Sequence, residues 1–182
     1  YGAYLSKNND VTMLDVYEPQ VQALNENGIT VQEEDGSVQH FSKIRAMKSG
    51  TCNEVADLVI VFVKSTHTES SLEENKALFG ENTLVMTLQN GAGNDRKIAK
   101  YVKTENIIIG TSKHNSVNLG SGKIRHSGNG VTTIGSNLEE NLHLQPVADL
   151  LEEAGFQSAI SGDIQRIIWS KLFVNLSINT FT

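Results

Sequence analysis

The sequence is poor in everything that builds covalent or metallic frameworks. Its 182 residues include one cysteine, Cys52, so neither an internal disulfide nor a cysteine-based zinc site can form. His114, His126 and His143 lack metal-ligand spacing, and there is no HExxH, so no metal is expected. The start of the chain carries no secretory leader pattern; with the lone thiol, this makes a reducing cytoplasm the expected compartment. Positive charge is scarce: 15 Lys+Arg face 21 Asp+Glu, a net charge of −6, which argues against nucleic acid or an anionic membrane as the main partner. The longest apolar stretch, Leu58–Val63, is strand-sized, far below the ~18 residues of a membrane span. No G-x-S-x-G element offers a serine nucleophile, and no G-x-G-x-x-G turn is present. There are two prolines, Pro19 and Pro146, both at expected helix starts. A starting methionine is also missing, and both ends fall inside helical-looking patterns, as though cut from something longer.

What is present alternates. Val11–Asp15 reads as a strand ending in an acid, followed by a helix over Tyr17–Asn27 with Gly28 as its C-cap. Ile29–Gln32 and Val38–Phe41 flank Glu34-Asp35-Gly36-Ser37, a hairpin signal. Asp57–Val63 (DLVIVFV) is an unbroken β-branched run, as in strands covered on both faces of a parallel sheet. Helix over Glu69–Phe79, strand over Thr83–Leu88, helix over Gly93–Val102 and strand over Asn106–Ile109 complete a βαβ rhythm, which predicts an α/β, doubly wound sheet. Residues 111–137 change character, and Lys123–His126 with Val131–Ile134 are expected to form an antiparallel β extension across Ser127–Gly130. A helix over Leu138–Ala154 and a strand over Phe156–Ile160 follow. Ile164–Phe181 is apolar on almost every side, predicting a helix packed all round or at a domain interface. No internal repeat or linker interrupts this order.

Three places could carry chemistry. On the last helix, Lys171, Asn175 and Asn179 recur at i, i+4 and i+8, sharing one face of an apolar element. A lysine there requires a carboxylate, backbone carbonyls or an anionic ligand; an ammonium reaching out to water, with asparagines capping loops, satisfies the same pattern. Leu88-Gln89-Asn90-Gly91-Ala92-Gly93 lies between a buried strand and a helix, where open α/β sheets bind ligands; a tight Asn-Gly turn is the plain alternative. Lys64 occupies the equivalent end of its own strand, or is an ordinary exposed lysine. Asp15, at a strand end, is where dinucleotide folds place an acceptor for the adenosine ribose hydroxyls, or it is a simple turn residue.

The segments VTMLDVYEPQVQALNENGI, DLVIVFVKSTHTES, TLVMTLQNGAGN, NIIIGTSKHNSV, GKIRHSGNGVTTIG and IIWSKLFVNLSINTFT resemble, in order and spacing, the ketopantoate reductases (2-dehydropantoate 2-reductases). The most specific parts are the QNGAG turn, the His126–Gly135 segment and Trp169–Asn179. The resemblance implies a Rossmann-type, mostly parallel sheet with an antiparallel extension over residues 1–162. It also implies that 163–182 are the first helix of an all-α C-terminal domain for substrate and dimerisation. It implies NADP(H) as cofactor and a small 2-keto acid as substrate, reduced to pantoate on the route to pantothenate. Lys171 then matches the catalytic lysine, and Asn90, Asn175 and Asn179 the substrate-binding asparagines. Asp15, Lys64, Asn90 and Gly91 match the cofactor site.

Two departures accompany the resemblance. The family's opening strand and glycine fingerprint are not in this chain, nor is the bulk of the helical domain, so the chain alone is expected not to turn over. Asp15 also stands where NADP-preferring members carry or adjoin a basic residue, which makes NAD(H) a live expectation. Other readings are a different 2-keto or hydroxy-acid dehydrogenase, and a nonenzymatic NAD(P)-sensing domain.

Overall fold

The computed structural model describes residues 1–120, 122–128 and 130–180, with the backbone alone for 175–180. The chain folds as two compact units. The first comprises Tyr1–Cys52, Lys113–Val131 and Leu150–Gln157; the second Asn53–Ser112, Thr132–Asp149 and Ser158–Thr182.

In the first unit, helix α1 (Gly2–Leu5) precedes strand β1 (Thr12–Asp15) and helix α2 (Glu18–Asn27). Pro19 sits in the first turn of α2, where its missing N–H costs nothing, and Gly28 caps the helix at φ 64. The hairpin is as expected: β2 (Ile29–Gln32) pairs antiparallel with β3 (Val38–Phe41), and Gly36 takes φ 85 in the turn. A strand with no clear sequence signal, β4 (Arg45–Lys48), runs parallel to β1. The Asn25 side chain satisfies its Ala46, donating to the carbonyl at 2.9 Å and accepting from the amide at 2.8 Å. The side-chain amide thereby replaces a neighbouring strand. A second unforeseen strand, β8 (Asn115–Gly120), is exposed along its whole length, so no burial pattern marked it. It pairs antiparallel with β9 (Lys123–Ser127), which runs parallel to β2. Val31, Leu24, Phe41 and Ala46 form the core of this unit.

The second unit holds five strands in the order β11-β10-β7-β6-β5. Strands β5 (Leu58–Val61), β6 (Leu84–Thr87) and β7 (Ile107–Thr111) are mutually parallel. Strand β10 (Thr132–Gly135) runs antiparallel to β7, and β11 (Ser158–Ile160) parallel to β10. Burial follows position: β6 and β7 are almost wholly buried, whereas β5 is at the sheet edge and only Val61 is buried. Helices α3 (Thr68–Glu74) and α4 (Asn94–Ile98) are the crossovers. Helix α5 (Leu144–Glu153) is shorter than its amphipathic pattern suggested. Val85, Ile98, Ile107 and Ile164 anchor the core.

Two expectations are corrected. The antiparallel extension exists, but β9 and β10 do not pair with each other. Strand β9 joins β2 and β8, whereas β10 joins β7 and β11. The Gly-rich segment between them resembles a hairpin turn, but β10, with Thr132 and Ile134 fully buried on one face, is placed between β7 and β11 of the five-stranded sheet. The long helix α6 (Ile164–Thr180), expected to be packed all round or at a domain interface, is not packed all round: Ile164 and Ile168 are buried, whereas Trp169, Phe173 and Val174 are 48%, 63% and 57% exposed. Among the described residues, no helix is long and apolar enough to cross a membrane.

Candidate functional site

The parallel strands β5, β6 and β7 end side by side, and β5 and β6 are each followed by predicted residues. Lys64 follows β5, exposed at the start of a 3-10 turn over Ser65–His67. Exposed Asn90 and half-buried Gly91 follow β6. Gly91 and Gly93 adopt φ 94 and 86, and a Cβ on either would meet nothing within 4 Å. The backbone conformation, not crowding, therefore demands glycine, and the turn is open on its outer side. Gly110 in β7 is the opposite case: a Cβ there would lie 2.7 Å from Leu88 and 2.9 Å from the Thr133 carbonyl.

Beyond β7, the half-buried Lys171 of α6 reaches the sheet. Its Nζ donates to Thr111 Oγ1 at 3.0 Å and to the Ser112 carbonyl at 3.1 Å. The ammonium thus meets a hydroxyl and a backbone carbonyl at the strand end. The buried isoleucines one and two turns earlier, Ile168 and Ile164, fix the helix rotation that makes this reach possible. The side chains of Asn175 and Asn179 lie outside the described residues; their backbone continues the helix.

Gln89 was not singled out from its motif, yet it organises the turn. Its Oε1 accepts from Thr87 Oγ1 at 3.0 Å, and its Nε2 donates to Thr68 Oγ1 at 3.0 Å and to the Val63 carbonyl. Asn94, 4% exposed, places Oδ1 3.5 Å from the Thr68 hydroxyl, while its Nδ2 finds no acceptor among the described residues. A shallow depression lined by Gln89, Gly91, Asn94, Gly110, Gln165 and Ile168 lies at these strand ends.

Asp15 is in the first unit, half-buried at the end of β1. Its Oδ1 accepts from the Tyr17 amide at 2.9 Å, and its carbonyl accepts from the Ser49 amide at 2.9 Å. It thus performs the turn role at the entry to α2, with its second carboxylate oxygen available for other donors.

The same unit contains a cluster that spacing did not disclose. Tyr4 donates its hydroxyl to Glu33 Oε1. Glu33 Oε2 is 2.6 Å from His126 Nδ1, and His126 Nε2 is 3.0 Å from His114 Nδ1, itself 3.0 Å from the Gly128 carbonyl. Phe156, Tyr1 and Tyr4 surround the rings. Burial, then the neighbouring His126, hold the His114 pKa below the ordinary histidine value. Among the described residues, no group of three or more His, Cys, Asp or Glu could hold a metal; these two rings hydrogen-bond to each other instead. Cys52 is buried.

The model of the ketopantoate reductase PanE/ApbA family matches residues 1–139. The chain belongs to this family. The 2-dehydropantoate 2-reductase of Streptococcus pyogenes serotype M1 is 32% identical over 99% of this chain, which spans 58% of that protein. Among solved structures, a D-mandelate dehydrogenase in ternary complex with NADH and anilino(oxo)acetate superposes with a TM-score of 0.89 at 27% identity, over 96% of this chain and 56% of the other. The 2-dehydropantoate 2-reductase of Geobacter metallireducens GS-15 superposes at 0.85 with 29% identity, over 96% and 58%. The chain thus spans little more than half the length of the ketopantoate reductases it matches, and its strand-end turns and α6 lie within the part they share.

Proposed function

We propose that this chain is the dinucleotide-binding part of a 2-dehydropantoate 2-reductase, which reduces ketopantoate to pantoate in pantothenate biosynthesis. Residues 1–162 form the Rossmann-type domain, and 163–182 begin a helical domain for substrate and dimerisation. The observation that carries this reading is the Lys171 ammonium, delivered by α6 onto the carboxyl end of β7 at 3.0 Å from Thr111 Oγ1. It stands at the end of the same parallel sheet as the Asn90-Gly91 turn.

The residues present suit a reduced nicotinamide dinucleotide. The turn after β6 is open above its two positive-φ glycines, and Lys64 and Asn90 are exposed at adjacent strand ends. Lys64, Asn90 and Gly91 would hold the cofactor, with Asp15 on the ribose hydroxyls. When bound, the cofactor supplies the hydride to the substrate's carbonyl carbon. As negative charge builds on the carbonyl oxygen, Lys171 donates an Nζ proton to it, leaving a neutral amine that regains its proton from water. A cation at this strand end stabilises the developing alkoxide more than it stabilises the ketone, which is the condition for catalysis. Asn90, Asn175 and Asn179 would position the keto acid.

Asp15 favours NADH over NADPH, because its carboxylate repels a 2′-phosphate; the NADH in the D-mandelate dehydrogenase complex supports the same preference. Comparing kcat/KM for the two cofactors in the full-length protein tests this, and a clear NADPH preference overturns it. The similarity to D-mandelate dehydrogenase also supports a second reading, a dehydrogenase of another 2-hydroxy acid. An NAD(P)H absorbance assay against a panel of 2-keto acids separates the two: highest kcat/KM with ketopantoate supports the first, and with an aromatic 2-keto acid the second.

A further inference from the structure

We infer that Gln89 and Thr68 are positioning residues that fasten the Lys64 loop to the Asn90-Gly91 turn, making two separate strand-end loops one preset binding edge. The inference rests on the cofactor reading above and adds residues that act through Lys64 without touching the ligand.

The direction of every hydrogen bond in this connection is set by carbonyl groups. The Val63 carbonyl can only accept, so the Gln89 side chain must turn its NH2 towards it, and the second N–H then meets Thr68 Oγ1 at 3.0 Å. This leaves Oε1 facing the Thr87 hydroxyl, which donates to it at 3.0 Å. Thr68 receives from Gln89, and its own proton goes to the Ser65 carbonyl at 3.1 Å. Both donors of the amide are therefore used, and reversing it would set its oxygen against a carbonyl. The two carbonyls fastened this way, Val63 and Ser65, flank Lys64. Lys97 Nζ adds a third attachment at the Ser65 carbonyl, at 2.6 Å. Thr68 and Thr87 are 0% and 2% exposed, so water competes poorly for these bonds.

The side chain at position 89 needs glutamine's length together with two donors and an acceptor, because it spans from the end of β6 to the loop after β5. A glutamate would turn acceptors towards the Val63 carbonyl. The Lys64 backbone is thus held on one side by Gln89, the residue that precedes Asn90, and on the other by Thr68 and Lys97, so the exposed lysine is placed before a ligand arrives instead of being ordered by it.

The test is a double-mutant cycle in the full-length protein, read by fluorescence titration of NADH and NADPH and by steady-state kinetics. Thr68→Val removes the hydroxyl at almost constant volume. We expect it to raise dinucleotide Kd and KM about tenfold, the scale of one lost hydrogen bond, with kcat little changed, while Thr68→Ser restores wild-type values. Gln89→Met should reproduce the effect, which guards against one variant that does not fold. In a Lys64→Ala background the Thr68→Val effect should shrink below about twofold, because its target is gone. A Thr68→Val effect that persists undiminished without Lys64, or no effect at all, overturns the inference. Dinucleotide binding by neither wild type nor variants would overturn the cofactor reading instead. The clamp is then judged by amide exchange over residues 64–68, expected to rise about tenfold in Thr68→Val and return in Thr68→Ser; unchanged exchange refutes it.

Discussion

Among the described residues, two polar networks, one in each unit, are built on different chemistry. In the first unit, the Tyr4, Glu33, His126 and His114 side chains are all titratable and ringed by aromatics. In the second, Gln89, Thr68, Thr87 and Asn94 contribute amides and hydroxyls, with the Lys97 ammonium added at the Ser65 carbonyl. Amides and hydroxyls do not titrate across the physiological pH range. A titratable network is conditional. Glu33 and the Gly128 carbonyl accept, so both histidines carry their proton on Nδ1, and His126 Nε2 accepts from His114.

The largest effect that separates the regions is Lys171→Met. In the full-length protein it should lower kcat by about 10²- to 10⁴-fold, the span of a lost general acid, while leaving dinucleotide affinity and the His114–His126 pair intact. Turnover at the wild-type rate would remove Lys171 from the chemistry. Next in size is Ile108→Ala in the middle of the five-stranded sheet, where the side chain is 0% exposed. It should cost about 2–5 kcal/mol in denaturant unfolding, with no change in pH dependence.

Glu33→Gln should cost about 1–3 kcal/mol, the worth of a charge-assisted hydrogen bond. The smallest effect is the pH dependence itself. The folded pKa of His114 lies below its ordinary value, so below about 6.5 the unfolded chain binds more protons than the folded one. The melting temperature should therefore fall as pH drops through that range, and His114→Gln should flatten the slope. An unaltered slope in that variant would break the contrast between the two networks.

Much of the second unit was legible because its strands carry their own signal. Continuous β-branched runs mark strands buried on both faces whichever neighbours they acquire, and the QNGAG turn announces positive φ through its glycines. Lys171 stood out because a charge amid apolar helical positions must find acceptors. The first unit was harder to read. Strand β4 is four residues whose edge is completed by a side chain, Asn25, and β8 is exposed throughout. The pairing of β9 and β10 was misread because a Gly-rich stretch that leads onward looks locally like one that turns back. Gln89 was masked by its neighbours, since an amide's role depends on which carbonyls the fold brings to it.

The sequence by itself determined the α/β class, the parallel strands and the residues at their carboxyl ends, because periodicity, glycine conformation and the cost of burying charge act locally. Tertiary structure alone decided the oxygens that receive Lys171, the joining of the Lys64 loop to the Asn90 turn, and the meeting of two histidines twelve residues apart with a glutamate far earlier in the chain. Those are hydrogen bonds between side chains and distant backbone, and their partners are set by strand order and register.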